Sequence, residues 1–251
     1  MKKWGKSLLI WMVILASIVL MIALAQQAPD WAMLQIIEFA QANGVDYHQY
    51  PDCLVELLTV NPEAKEFVLN YPFRGDKPVE VLEYDLSKGV PLFIQWDPQW
   101  GYLEYGSELG GTAGSGPMCL AMAGYYLSGG DRQFYPDRIL EYADQNGYYS
   151  DKKGTNSALL TEGGPALGLK VISLPKVRNK IAAYLHNGDP IVAFLPDSDL
   201  AQSGRYVLVQ WHSEGKLTVN DPTSRITSKE KWTYEEFIAQ ARNLWVIQKA
   251  E

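Results

Sequence analysis

The sequence predicts an α+β fold, on three observations. Helix-forming runs fill most of the first half, β-rich runs bounded by turn residues fill most of the second, and the two kinds scarcely alternate. A chain of 251 residues with 47% hydrophobic side chains can bury a sizeable core, divided naturally into one domain and an accessory segment. The formal charge is −7, from 22 basic and 29 acidic side chains. No stretch gathers Lys and Arg into a nucleic-acid footprint, so no nucleic-acid partner is expected. Two cysteines (Cys53, Cys119) and three histidines (His48, His186, His212) stand at no ligand spacing, so neither a metal nor a cofactor is expected.

The elements follow in order. "MKKWGKS" carries three lysines and precedes "LLIWMVILASIVLMIALA", residues 8–25, which holds no charge. A bilayer core asks for about 20 apolar residues and a cleavable signal core for roughly 7–15. The length favours an uncleaved membrane anchor; Ala23 and Ala25 form an A-x-A pattern that leaves cleavage after Ala25 as the alternative. Basic residues before the span place the remainder outside the cytoplasm, at the cell membrane if anchored and secreted if cleaved. A Cys53–Cys119 disulfide is permitted in that compartment. Residues 26–50 hold an amphipathic helix ending near Asn43-Gly44. Two short helices follow, Asp52 capping the first and Pro62 opening the second after Asn61. Phe73–Gly89 reads as a connecting segment. The divisions expected are 1–25, an anchor or signal helix; 26–89, a helical segment and linker; and 90–251, the main domain.

From Val90 the texture changes. "VPLFIQWDPQW" reads as a short strand and an aromatic loop. A helix at 117–127 starts on Pro117 and stops at Gly129-Gly130, and further helices fit 136–146, 156–167 and 176–187. "PIVAFLP", "RYVLVQWH" and "KLTVNDP" are β-rich, the last two joined as a hairpin through Ser-Glu-Gly. "TYEEFIAQARN" is a closing helix and "LWVIQ" a closing strand, which makes the sheet antiparallel.

Four elements, "FIQWDPQWGYLEYGS", "AGSGPMCLAM", "SGRYVLVQW" and "TVNDP", occur in this order. Together they resemble the papain-like cysteine peptidases of the bacteriocin-processing, double-glycine leader peptidase type, and more closely its stand-alone exported bacterial relatives. The resemblance runs from about Tyr50 to the C-terminus and takes in "YPDCLVELL", "NPEAKEFVLNYP", "GTNSALLTEGGPALGL" and "EKWTYEEF". It implies a papain-like fold, with a helical N-terminal part and an antiparallel sheet. It also implies roles by position. Ser115 stands where the family has its nucleophilic cysteine, Arg205 where it has the histidine base, Asp221 of Asn220-Asp221-Pro222 where it has the orienting residue, and Gln95 where a side-chain amide serves the oxyanion hole.

The two departures decide what chemistry is expected. A serine hydroxyl attacks only when a positioned base removes its proton. A guanidinium holds its protons past pH 12 and offers no acceptor, so Arg205 cannot be that base. Losing general-base catalysis costs roughly 10²–10⁴ in rate. The expectation is a pseudopeptidase that binds a peptide or protein partner without cutting it. The alternative is an active peptidase using Ser115 or Cys119. Cys119, one helical turn on, reads as core packing; His212 falls at the hairpin tip, and His48 and His186 at helix ends on the surface. Two fates are open for the altered site. Ser115, Arg205 and the helix N-terminus can hold a carboxylate, with Trp96, Trp100, Tyr102 and Tyr105 lining the groove; or Arg205 pairs with Asp221 internally. The glycine loop is neither a P-loop, since Pro117 and Met118 replace its Lys and Ser/Thr, nor a G-x-S-x-G elbow, since Ala113 and Pro117 replace its glycines.

Overall fold

Helices dominate the chain ahead of the main sheet, further helices fall between its strands, and that sheet is antiparallel throughout, as suits an α+β class. The computed structural model describes residues 31–75, 78–151, 154–197, 204–211 and 213–250. The apolar run at 8–25, the Ala25 cleavage position and His212 lie outside them. No helix among the described residues is long and apolar enough to cross a membrane. The chain divides into two compact units, Met1–His48 and Gln49–Glu251.

In the first unit, α1 (Trp31–Asn43) buries Ala32, Ile36 and Ala40, one stripe at four-residue spacing, while Trp31 and Leu34 are exposed. His48 is exposed beyond it, its Nδ1 2.8 Å from Asp46 Oδ1.

The second unit opens with α2 (Asp52–Val60) and α3 (Lys65–Leu69). Pro51, not Asp52, occupies the N-cap of α2, and no side chain caps that end. Asp52 is instead the first helical residue, where a carboxylate favours the helix dipole. Between the two helices Asn61 accepts from the Glu63 amide at 3.2 Å, with Pro62 at the first position, as its sequence indicates. Residues 49–89 belong to the same compact unit as the sheet.

At the centre lies α4 (Ser115–Ser128), every residue of which from Ser115 to Tyr125 is buried. A helix apolar all round has no solvent face and must be enclosed. It ends at Gly129, whose φ of +77° suits a residue without Cβ; the amides of Gly129 and Gly130 return to Tyr126 and Tyr125 at 3.2 and 2.8 Å. Against it packs α5 (Pro136–Gln145). The helix expected at 176–187 is α6 (Arg178–His186). After it come α7 (Arg225–Lys229) and α8 (Tyr234–Gln240), the latter held by a Thr233–Glu236 capping box.

Six strands build the sheet: β1 (Leu169–Ser173), β2 (Ile191–Pro196), β3 (Gly204–Trp211), β4 (Leu217–Asn220), β5 (Lys231–Trp232) and β6 (Asn243–Lys249), in spatial order β1-β6-β2-β3-β4-β5. The last strand thus lies inside the sheet. Side-chain alternation sends Val192, Tyr206 and Leu208 to the face that α4 and α5 cover; Ile191, Ala193, Val207 and Val209 go to the face covered by α6 and α8. Both faces are buried, so these strands read as continuous apolar runs.

A further expectation is corrected. No strand forms at 90–96: the Val90 amide donates to Gln210 Oε1 at 2.9 Å, its carbonyl accepts from Asn220 Nδ2 at 3.0 Å, and the Gln95 amide donates to Pro222 O at 2.9 Å. Side chains of the sheet and the Pro222 carbonyl occupy backbone groups that a ladder would need. The helix expected over 156–167 is present, as a π-helical Leu159–Gly163 that continues into Gly164–Ala166. Pro165 lacks the amide that a longer α-helix there would require.

Candidate functional site

The start of α4 sits against β3. Beyond Leu208, where β4 parts from β3, the Tyr206 amide has no β4 residue opposite it. Ser115 Oγ accepts that N–H at 3.2 Å, so the serine at the helix start is fixed beside Arg205 and Tyr206. The approach depends on Gly116: a Cβ there would meet Thr155 Cγ2 at 2.6 Å. Thr155 in turn donates to Ala113 O at 3.3 Å, accepts from Tyr105 Oη at 3.1 Å, and takes the Tyr206 phenol on its carbonyl at 3.2 Å. Burial pushes both phenols well above the usual tyrosine range, so they serve as fixed donors.

Asp221 follows the last residue of β4 and is fully buried. Its Oδ2 accepts from Arg205 Nε at 2.8 Å; its Oδ1 accepts from the Thr223 amide at 2.9 Å and the Thr223 hydroxyl at 2.6 Å. The Arg205 side chain is one third exposed. Of the two fates open for this site, the internal ion pair is the one present. The charge that was to hold a carboxylate is already matched by Asp221.

Gln95 is buried at the same place. Its Nε2 donates to Gly111 O at 2.9 Å and Thr112 O at 3.3 Å, while Oε1 has no hydrogen-bond partner among the described residues. An oxyanion donor needs a free N–H aimed at the reacting atom. Here both amide hydrogens face carbonyls of the short helix Gly110–Ala113, and the arm left over is an acceptor. Ser115, Arg205 and Gln95 line one cleft of about 1060 Å³.

The remaining nucleophile and base candidates are elsewhere or inert. Cys119 is fully buried, and burial followed by the nearby Asp221 charge raises its thiol well above the usual cysteine range, so it stays protonated. Cys53 and Cys119 are both free thiols. His186 closes α6 on the surface, its Nδ1 2.6 Å from Ala182 O and its ring against Trp211. Trp96, Trp100 and Tyr105 are buried core rather than groove, and Tyr102 is stacked on Phe67 with its hydroxyl on Phe67 O at 2.7 Å. No group of three potential metal ligands occurs among the described residues.

Sequence reasoning missed the carbonyl-and-hydroxyl web around Thr155 and the tie across the chain at Glu63. Glu63 accepts the Ser224 hydroxyl and the amides of Arg225 (2.9 Å) and Ile226 (3.3 Å), satisfying the first turn of α7. Asn61 Nδ2 and Trp96 Nε1 both donate to Thr223 O, at 2.6 and 3.0 Å. A helical segment early in the chain therefore forms one wall of the cleft, with Glu56, Leu57, Val60 and Pro62 on its lining.

No family model and no curated protein sequence matches the chain. Among solved structures it is similar to the peptidase domain of Streptococcus ComA, a bi-functional ABC transporter involved in a quorum-sensing pathway. The TM-score is 0.43 and the identity 17%, over 56% of this chain and 93% of that domain. A likeness of that size carries neither fold family nor activity to this chain.

Proposed function

We propose that residues 49–250 are a papain-like, cysteine-peptidase-type domain that binds peptide without hydrolysing it. One observation carries the reading: the residue next to the Ser115 contact, Arg205, is a cation held 2.8 Å from Asp221. Hydrolysis needs a proton acceptor at that place. The order of the four sequence elements supports the family part of the reading, and the cleft of about 1060 Å³ supports the binding part. The active alternative loses support at each candidate: Ser115 has no imidazole partner among the described residues, and Cys119 is shielded from solvent.

The test uses the full chain in nonionic detergent with a quenched peptide library. No turnover above the Ser115→Ala control is expected. Turnover abolished by Ser115→Ala or Cys119→Ala would overturn the proposal. Combining Ser115→Cys with Arg205→His restores both the family's nucleophile and its base. The new thiol at position 115 is expected to take up iodoacetamide at least about tenfold faster than a denatured-chain thiol at neutral pH. A folded double variant that labels no faster would show that these positions are not the paired site.

The same proposal places the domain outside the cytoplasm, anchored through residues 8–25, with release after Ala25 as the second form. Protease added to intact cells is expected to remove residues 26–251 while cytoplasmic controls survive. A protected domain would refute that placement.

A further inference from the structure

The cleft that contains Ser115 has an acidic wall. Glu56, Glu108, Asp151 and Asp197 come to it from separate parts of the chain, and none is in an ion pair among the described residues. Among the described residues Glu108 and Asp151 accept from neutral hydroxyls, Tyr149 at 3.2 Å and Ser107 at 2.9 Å, which orient the carboxylates and leave their charge. Among the described lining residues the one cation is Arg205, which Asp221 already neutralises. A second observation is independent of charge. Gln95 is 3% exposed, lines the same cleft, and its buried Oε1 has no donor among the described residues. Reversing that amide would set its oxygen against two carbonyl oxygens, so the unpartnered atom is the acceptor. A buried acceptor without a donor is costly unless a ligand or a water supplies one. On the same cleft, Val60 and Ile226 are 79% and 62% exposed, an apolar contact with no protein cover.

We propose that the cleft selects a cationic peptide segment, a Lys or Arg side chain in the field of the acidic wall, an N–H on Gln95 Oε1, and an apolar side chain against Val60 and Ile226. This rests on the peptide-binding reading and adds the class of peptide. The field favours positive ligands and repels negative ones, and salt weakens both effects.

The experiment measures fluorescence anisotropy with the full chain in nonionic detergent. The probes are labelled nonapeptides with neutral ends, identical apolar residues, and net charge +2, 0 or −2. At 50 mM salt the +2 peptide is expected to bind at least about tenfold tighter than the −2 peptide, with the gap narrowing at 300 mM. The double variant Glu108→Gln, Asp151→Asn is expected to weaken the +2 peptide about tenfold and to leave the neutral one unchanged. Glu56→Gln, on an exposed side chain, gives the same comparison without touching the Tyr149 and Ser107 hydrogen bonds. Neutral or anionic peptides binding as tightly as the cationic one would overturn this inference and leave peptide binding standing. No binding at any charge would remove both. Displacement by spermidine at matching concentration would overturn the peptide specificity, since a polyamine has the charge without the backbone.

Discussion

Replacing Phe93 with alanine is expected to cost the domain about 4 kcal/mol, toward the middle of the roughly 3–5 kcal/mol found for such truncations. Phe93 is fully buried, with Tyr84, Trp100, Tyr125 and Tyr135 around it at centroid separations of 5.3, 5.9, 5.8 and 5.7 Å, all edge-on. The hole left behind cannot easily close, because two of its walls are tied. Tyr135 Oη accepts the Leu82 amide at 2.9 Å and donates to Glu80 O at 3.3 Å, and Trp100 Nε1 donates to Ile94 O at 2.8 Å. Residual cavity volume sets the size of the penalty, so fixed walls raise it. With a urea slope of about 2–3 kcal/mol/M for a domain of this size, the unfolding midpoint should fall by about 1.5 M. Phe93→Leu, which refills most of the space, should cost about 1 kcal/mol. Equal midpoints for the two variants would mean that the cluster collapses onto the gap.

Asp221→Ala is the second large effect. It strands the Arg205 guanidinium and removes the acceptor for the Thr223 amide and hydroxyl. Breaking a buried pair from one side costs about 3–5 kcal/mol. Arg205 is one third exposed, and solvent screens what remains of its charge, so about 2–3 kcal/mol is expected. Adding Arg205→Met removes the stranded cation and should recover about half of that loss. A urea-unfolding double-mutant cycle then reads a coupling above about 1 kcal/mol. Simple additivity would show that the two residues do not act as a pair.

The legible part of this protein is its local chemistry. Ser115, Arg205 and Asp221 carry position-specific signals in short segments, and β3 and β4 bring those segments together. The helix ends at Pro62 and Gly129 were readable from capping residues alone. What was not legible depends on distant atoms. "VPLFIQW" has the composition of a strand, and only Gln210 and Asn220, more than a hundred residues on, prevent it from forming a ladder. The direction of the Gln95 amide is set by the carbonyls of Gly111 and Thr112, which no spacing reports. The strand β1 went unread because "LKVIS" is short and only partly alternating. The acidic wall is likewise invisible in the sequence, because its carboxylates are scattered among many others across a chain that is acidic overall.

The place of β6 bears on how the molecule is made. During synthesis β1 leaves the ribosome early and β2 to β5 can zip into a four-stranded piece, but nothing joins the two until residues 243–249 have emerged to slot between them. Until then β1 and β2 each keep an edge of unpaired backbone N–H and C=O groups, the kind of surface that invites mispairing between nascent chains. A stop codon or cut before residue 243 would therefore yield an aggregating fragment rather than a slightly shortened domain.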